Sequence, residues 1–209
     1  MATARPLLVI ALALAAGWAG CAHAFTVDIT PRNPRTLYLR VGDGAFSGGN
    51  FDSGGQPGTL GTVNTVSVTV PAGQIGSGTA LAMSGNASQL ISNYDGFAFC
   101  AAGQIYVGGF YRRNGQGGSA SLTVAAPSAL TSGSNDPIPF SQISWTSSGI
   151  GDTGAQPIPG GTFTGGAQAL ATFPANSWRE SCLSFRYANT LVRPAGVYRG
   201  TVTYTLAAP

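Results

Sequence analysis

The groups in this 209-residue chain that could do chemistry are few: seven carboxylates, one histidine and three cysteines, with ten Lys or Arg that are all arginine. Two carboxylates facing one bond can hydrolyse a glycoside, and the candidates are Asp28, Asp43, Asp52, Asp95, Asp136, Asp152 and Glu180. Most stand beside Gly, Pro, Asn or Ser, where an Asp commonly closes a turn. A Ser-His-Asp or Cys-His arrangement needs a general base. The only histidine, His23, falls in a leading segment expected to be removed. Asp43 and Asp52 could bind Ca²⁺, but their surroundings do not reproduce the EF-hand spacing. Gly149-Ile-Gly-Asp-Thr-Gly154 matches G-x-G-x-x-G without the following helix that a dinucleotide site requires. No catalytic residue, metal or cofactor is assigned, and a non-enzymatic role is expected.

The leading segment reads as a signal peptide over residues 1–24. Arg5 supplies a positive start, an apolar run extends from Leu7 to Ala16, and Ala22-His23-Ala24 fits a small-x-small cleavage site. The run is about half of the ~20 residues a membrane span needs, and no later stretch is long and apolar enough to serve as a transmembrane segment. Cleavage leaves residues 25–209 as a single domain in the periplasm, at the cell surface or outside the cell. A second reading makes Cys21 a lipid anchor, although Trp18 fits a lipoprotein box poorly.

Cleavage also leaves two cysteines, Cys100 and Cys182, in a chain bound for an oxidising compartment, where pairing is the default. A loop of that length constrains the unfolded chain by roughly 4.5 kcal/mol, an upper figure. A free thiol, the alternative, has no His or Lys beside it to activate it. Charged residues are only 8% of the chain, and no Arg run exceeds Arg112-Arg113. Nucleic acid is therefore not an expected partner.

The elements that must position these groups are strands. Period-2 alternation recurs in Leu37, Leu39 and Val41; in Val66, Val68 and Val70; in Ala120, Leu122 and Val124; in Leu183, Phe185 and Tyr187; and in Val202, Tyr204 and Leu206. Gly, Pro and Asn turn signals separate the runs. The pattern predicts an all-β fold, a sandwich or a barrel, with one disulfide. Helical periodicity is nearly absent, with room for one short turn between Gly78 and Ile91. Gly42 to Gly61 holds eight glycines in twenty residues and reads as a long loop, either functional or slack. Phe110, Tyr111, Trp145, Trp178 and Tyr187 could stack on a sugar, with core packing the plainer reading. Tyr111-Arg112-Arg113 reads as the most exposed aromatic and basic cluster and is the candidate surface-binding site.

The final run, Pro194-Ala-Gly-Val-Tyr-Arg-Gly-Thr-Val-Thr-Tyr-Thr-Leu206, resembles the last strand of bacterial fimbrial subunits and spore-coat-U-like pilins. The resemblance implies an immunoglobulin-like antiparallel β-sandwich that lacks one strand. It also implies partners: a periplasmic chaperone fills the gap first, and the N-terminal extension of a like subunit fills it afterwards. Val202, Tyr204 and Leu206 would then border the gap, and Phe25, Val27 and Ile29 would be the alternating residues of the donor strand. The competing reading is a complete sandwich that shares only the final strand pattern, a self-contained secreted binding module for carbohydrate or a surface partner.

Overall fold

The alternation is realised as short strands in a computed structural model that describes residues 26–60, 63–115 and 117–209. The expected signal peptide, Cys21, Phe25 and the Gly61 end of the glycine-rich segment lie outside the described residues. In chain order the strands are β1 (Thr26–Asp28), β2 (Thr36–Val41), β3 (Gly44–Ser47), β4 (Gln56–Leu60), β5 (Val66–Ser67), β6 (Leu81–Ala82), β7 (Ser84–Gly85) and β8 (Ile105–Arg112). Then come β9 (Ser119–Ala125), β10 (Ala129–Leu130), β11 (Ile138–Pro139), β12 (Ile143–Ser148), β13 (Gly161–Thr162), β14 (Ala167–Pro174), β15 (Ser177–Tyr187) and β16 (Thr203–Ala207). Among the described residues the helical elements are two short 3-10 turns, and no helix is long and apolar enough to cross a membrane.

Two antiparallel sheets face each other. The larger runs β13-β12-β15-β8-β2, with β1 and β6 also on β15, and the smaller runs β14-β9-β16. At eleven residues β15 is the longest strand. Its first half pairs β8, with Trp178 opposite Phe110, and its second half pairs β12, with Phe185 opposite Trp145. Alternation sends Leu183 and Phe185 between the sheets, where they meet Ile105, Val107 and Tyr111 from β8 and Leu122 and Val124 from β9.

The other face of the large sheet is also covered, which departs from a simple two-layer sandwich. Trp178, Glu180 and Cys182 point that way, and a second aromatic cluster of Tyr38, Phe110, Trp178 and Ile29 packs there with Phe46, Phe51 and Tyr94. Phe46 comes from β3, and Phe51 from the turn after it. The expected Gly42–Gly61 loop is therefore a β3–β4 hairpin, ordered because its two phenylalanines pack on Tyr38, Phe110 and Trp178 with ring centroids 5.1–5.3 Å apart. The expected helical turn within Gly78–Ile91 is extended instead. Leu81 pairs Tyr187 in the sheet, and Leu81, Met83, Gly85, Ala87 and Gln89 alternate inward with period 2.

Cys100 and Cys182 are bonded, with Cα atoms 5.4 Å apart and 82 residues of separation. Both are buried with Phe99 and Tyr106. The bridge fastens the segment ahead of β8 to the middle of β15, on the face away from the smaller sheet.

Candidate functional site: an unpaired groove between the two sheets

One side of the core lies between two edge strands. Strand β16 pairs β9 in continuous register from Thr203↔Ala125 to Ala207↔Ser121. Among the described residues it pairs nothing on its other edge. That edge lies beside β2, which in turn pairs β8 alone. Two strands from different sheets thus border each other without a backbone ladder. Arg35, whose side chain donates to the Pro209 carbonyl oxygen, links them at one end.

The β2 side of the groove is built in two pieces. At Gly42, whose φ of +70° suits glycine, the backbone N–H still donates to the Tyr106 carbonyl at 2.7 Å and prolongs the β2–β8 ladder. The chain then leaves for the β3–β4 hairpin. On its return, Asn64 Oδ1 accepts from the Asp43 N–H at 2.7 Å while Asn64 Nδ2 donates to Asp43 Oδ2 at 2.9 Å. Beyond this clamp, Val66 pairs Gly85, and the Gly85 N–H reaches the Gly103 carbonyl just before β8. Asp43 Oδ1 also accepts the Ser88 and Gln89 N–H groups, both at 2.7 Å. Its slight burial would raise the pKa, but the hydrogen bonds from Asn64, Ser88 and Gln89 outweigh that and hold it below the usual value.

The side chains along the groove are apolar, alternate, and are only half covered. On β2, Leu37 is 45% exposed, and Leu39 and Val41 are half-buried against the core. Val66, Val68 and Val70 are likewise half-buried, although only Val66 and Ser67 belong to a paired strand. Across the gap, Val202, Tyr204, Leu206 and Ala208 pack on the core from one side and are half-exposed on the other. The Tyr204 phenol sits deep enough that burial raises its pKa. By contrast, Ala120, Leu122 and Val124 on β9, flanked by strands on both sides, are fully buried. The difference is position: β9 lies between two strands, whereas β2 and β16 are edge strands of their sheets.

The remaining sequence-level candidates are placed as follows. Val27 and Ile29 do not sit on a free arm. Thr26, Val27 and Asp28 pair Arg179, Trp178 and Ser177 at the edge of β15, and Ile29 is buried in the outer aromatic cluster. Phe25 lies outside the described residues. Tyr111 is 1% exposed and belongs to the core, which corrects the reading of Tyr111-Arg112-Arg113 as an exposed cluster. Period 2 turns Tyr111 inward beneath Leu37 and Ser177, so only Arg112 and Arg113 remain half-exposed. Trp145, Trp178, Phe110 and Tyr187 are buried, so the sugar-stacking reading fails for them.

Sequence reasoning counted Glu180 among the seven carboxylates but did not place it in the interior. It is fully buried on β15, where its Oε2 accepts from the Tyr106 hydroxyl and from Trp178 Nε1 at 2.8 Å. Burial pushes its pKa up to about 7, against hydrogen bonds from Ser92, Tyr106 and Trp178 that lower it. Tyr38, next to this group, accepts from Arg40 Nε at 3.2 Å and Asn93 Nδ2 at 3.1 Å. The signal was parity: Glu180 lies two residues from Cys182 and so shares its buried face. These groups lie beneath the aromatic cover, where Glu180 Oε1 is buried without a hydrogen-bond partner among the described residues.

Compared with protein-family models, with curated proteins and with solved structures, the chain matches none.

Proposed function

We propose that this chain is an exported, non-enzymatic structural subunit, pilin-like, that assembles by accepting a β-strand into the groove between β2 and β16. The observation that carries the reading is the double row of alternating, half-covered apolar residues, Leu37, Leu39 and Val41 facing Val202, Tyr204 and Leu206, on two strands whose facing edges are unpaired. An incoming strand would add ladder bonds to both edges. Its inward side chains would complete the core, and three of them would contribute roughly 5 to 9 kcal/mol in burial. The occupants this reading expects are a like subunit and, before assembly, a periplasmic chaperone.

The N-terminal residues can act as donor only by leaving β15. Strand β1 makes just three residue pairs at a sheet edge, so its release is within reach of such a gain. The reading is tested by producing residues 25–209 in an oxidising periplasm and measuring mass and thermal unfolding. Multimers or aggregates that resolve when a peptide of residues 25–30 is added support it. A stable, well-folded monomer that ignores the peptide rejects it and leaves the self-contained module.

A further inference from the structure

On the covered outer side of the large sheet, away from the groove, a cavity of about 320 Å³ opens between the end of β1, the β3–β4 hairpin and the end of β8. Its lining mixes charge of both signs with aromatic faces: Arg32, Arg112, Asp28, Asp52, Phe51 and Tyr94. The charges are not paired with one another. Arg112 lies over the rings of Phe51 and Phe110, at 5.5 and 5.8 Å from their centroids, and its Nε is buried without a hydrogen-bond partner among the described residues. Arg32 and Arg112 line the same cavity, where burial and the nearby positive charge of Arg32 lower the Arg112 pKa. Among the described residues, the side-chain hydrogen bond to Asp52 is a long one, 3.4 Å from the Tyr94 hydroxyl. A guanidinium left with an unused buried donor is costly, and an anion accepting from both arginines would offset that cost.

We propose that this cavity binds a carboxylated monosaccharide, a hexuronate unit, with its carboxylate between Arg32 and Arg112 and its hydroxyls on Asp28, Asp52 and Gln56. The volume is at the low end of small-ligand sites, enough for one sugar ring. Phe51 and Tyr94, whose rings stack at 6.0 Å and 29°, supply the apolar surface that the C–H face of a sugar requires. Asp carboxylates accept hydrogen bonds from hydroxyls but repel an isolated anion, so the pocket discriminates against small inorganic ions. The site lies apart from the strand-accepting groove but shares Asp28 and Ile29 with the segment that would leave β15 as donor, so it belongs to the unassembled chain, and its binding there is measured without reference to assembly.

The test is isothermal titration of the disulfide-intact protein with glucuronate, glucose, glutamine and inorganic phosphate, repeated on Arg32→Ala and Arg112→Gln. Arg32 is exposed and is held by its backbone N–H to the Arg113 carbonyl, so Arg32→Ala retains the fold even if Arg112→Gln does not. Expected is saturable glucuronate binding, at least tenfold weaker binding of each of the other three, and a loss of tenfold or more in Arg32→Ala. Glucuronate binding no better than glucose overturns the proposal. So does phosphate or glutamine binding as tightly as glucuronate, an unaffected Arg32→Ala variant, or no binding at all.

Discussion

Asp43 and Asn64, twenty-one residues apart, hold each other by two reciprocal hydrogen bonds, the Asp43 N–H to Asn64 Oδ1 at 2.7 Å and Asn64 Nδ2 to Asp43 Oδ2 at 2.9 Å. Together they close the neck of the β3–β4 excursion, so that the two pieces of the groove's β2 side meet. Asp43→Ala removes this clamp and also frees the Ser88 and Gln89 amides. The expected loss is about 2–3 kcal/mol in urea unfolding, given that several charge-assisted bonds vanish at a partly exposed site. Because the folded Asp43 pKa is depressed, its contribution is present above the unfolded carboxylate range and is lost as pH falls through the folded value. The gap between wild type and Asp43→Ala therefore narrows in acid.

Glu180 titrates with the opposite sign. Its folded pKa of about 7 lies above the ordinary 4.5, so its contribution is fully present below about pH 4.5 and disappears as pH rises through about 7. Glu180→Gln keeps an oxygen to accept from Tyr106 and Trp178 and cannot ionise. Stability measured from pH 5 to pH 8 should fall in wild type and stay flatter in the variant. The difference between them should shift by about 3 kcal/mol in the variant's favour.

Reduction of Cys100–Cys182 should cost up to about 4.5 kcal/mol and lower the melting temperature. Beyond entropy, the bridge seats Phe99 against Tyr106 on the outer face, so protection of the Tyr106 and Glu180 region from solvent should fall with it. A Cys100→Ser/Cys182→Ser variant that melts with wild type would contradict this.

Leu206→Asp puts a charge on the inward row of β16 and should abolish assembly while a folded chain remains. Thr205→Asp, one residue away on the exposed face of the same strand, should leave assembly intact. Size-exclusion mass of the two variants separates them. Equal effects would show that charge on β16, and not its inward row, controls association.

What the sequence made legible was local. Alternation located β9, β16 and the end of β15, and two cysteines left one pairing. The β3–β4 hairpin was hidden because its glycines read as slack, while the residues that order it pack elsewhere: Phe46 on Tyr38 of β2, and Phe51 on Phe110 and Trp178, more than fifty residues away on β8 and β15. Tyr111 was misread because its neighbours are arginines. In β8 every residue through Tyr111 is buried, since both faces of that sheet are covered, and a doubly covered strand loses the inside-outside contrast that sequence reading relies on. The alternation of Val27 and Ile29 was visible, but no local pattern shows that β15 is the strand they join.

Hydrogen exchange on the two facing edges tests the strand-accepting groove most directly. In the isolated chain, the amides of residues 36–42 and 203–207 that point into the gap should exchange freely, while those facing β8 and β9 are protected. On assembly, the gap-facing amides on both strands should become protected together, at a level matching the ladder amides. If the protein assembles and those amides continue to exchange as they did in the isolated chain, the strand-accepting groove is wrong.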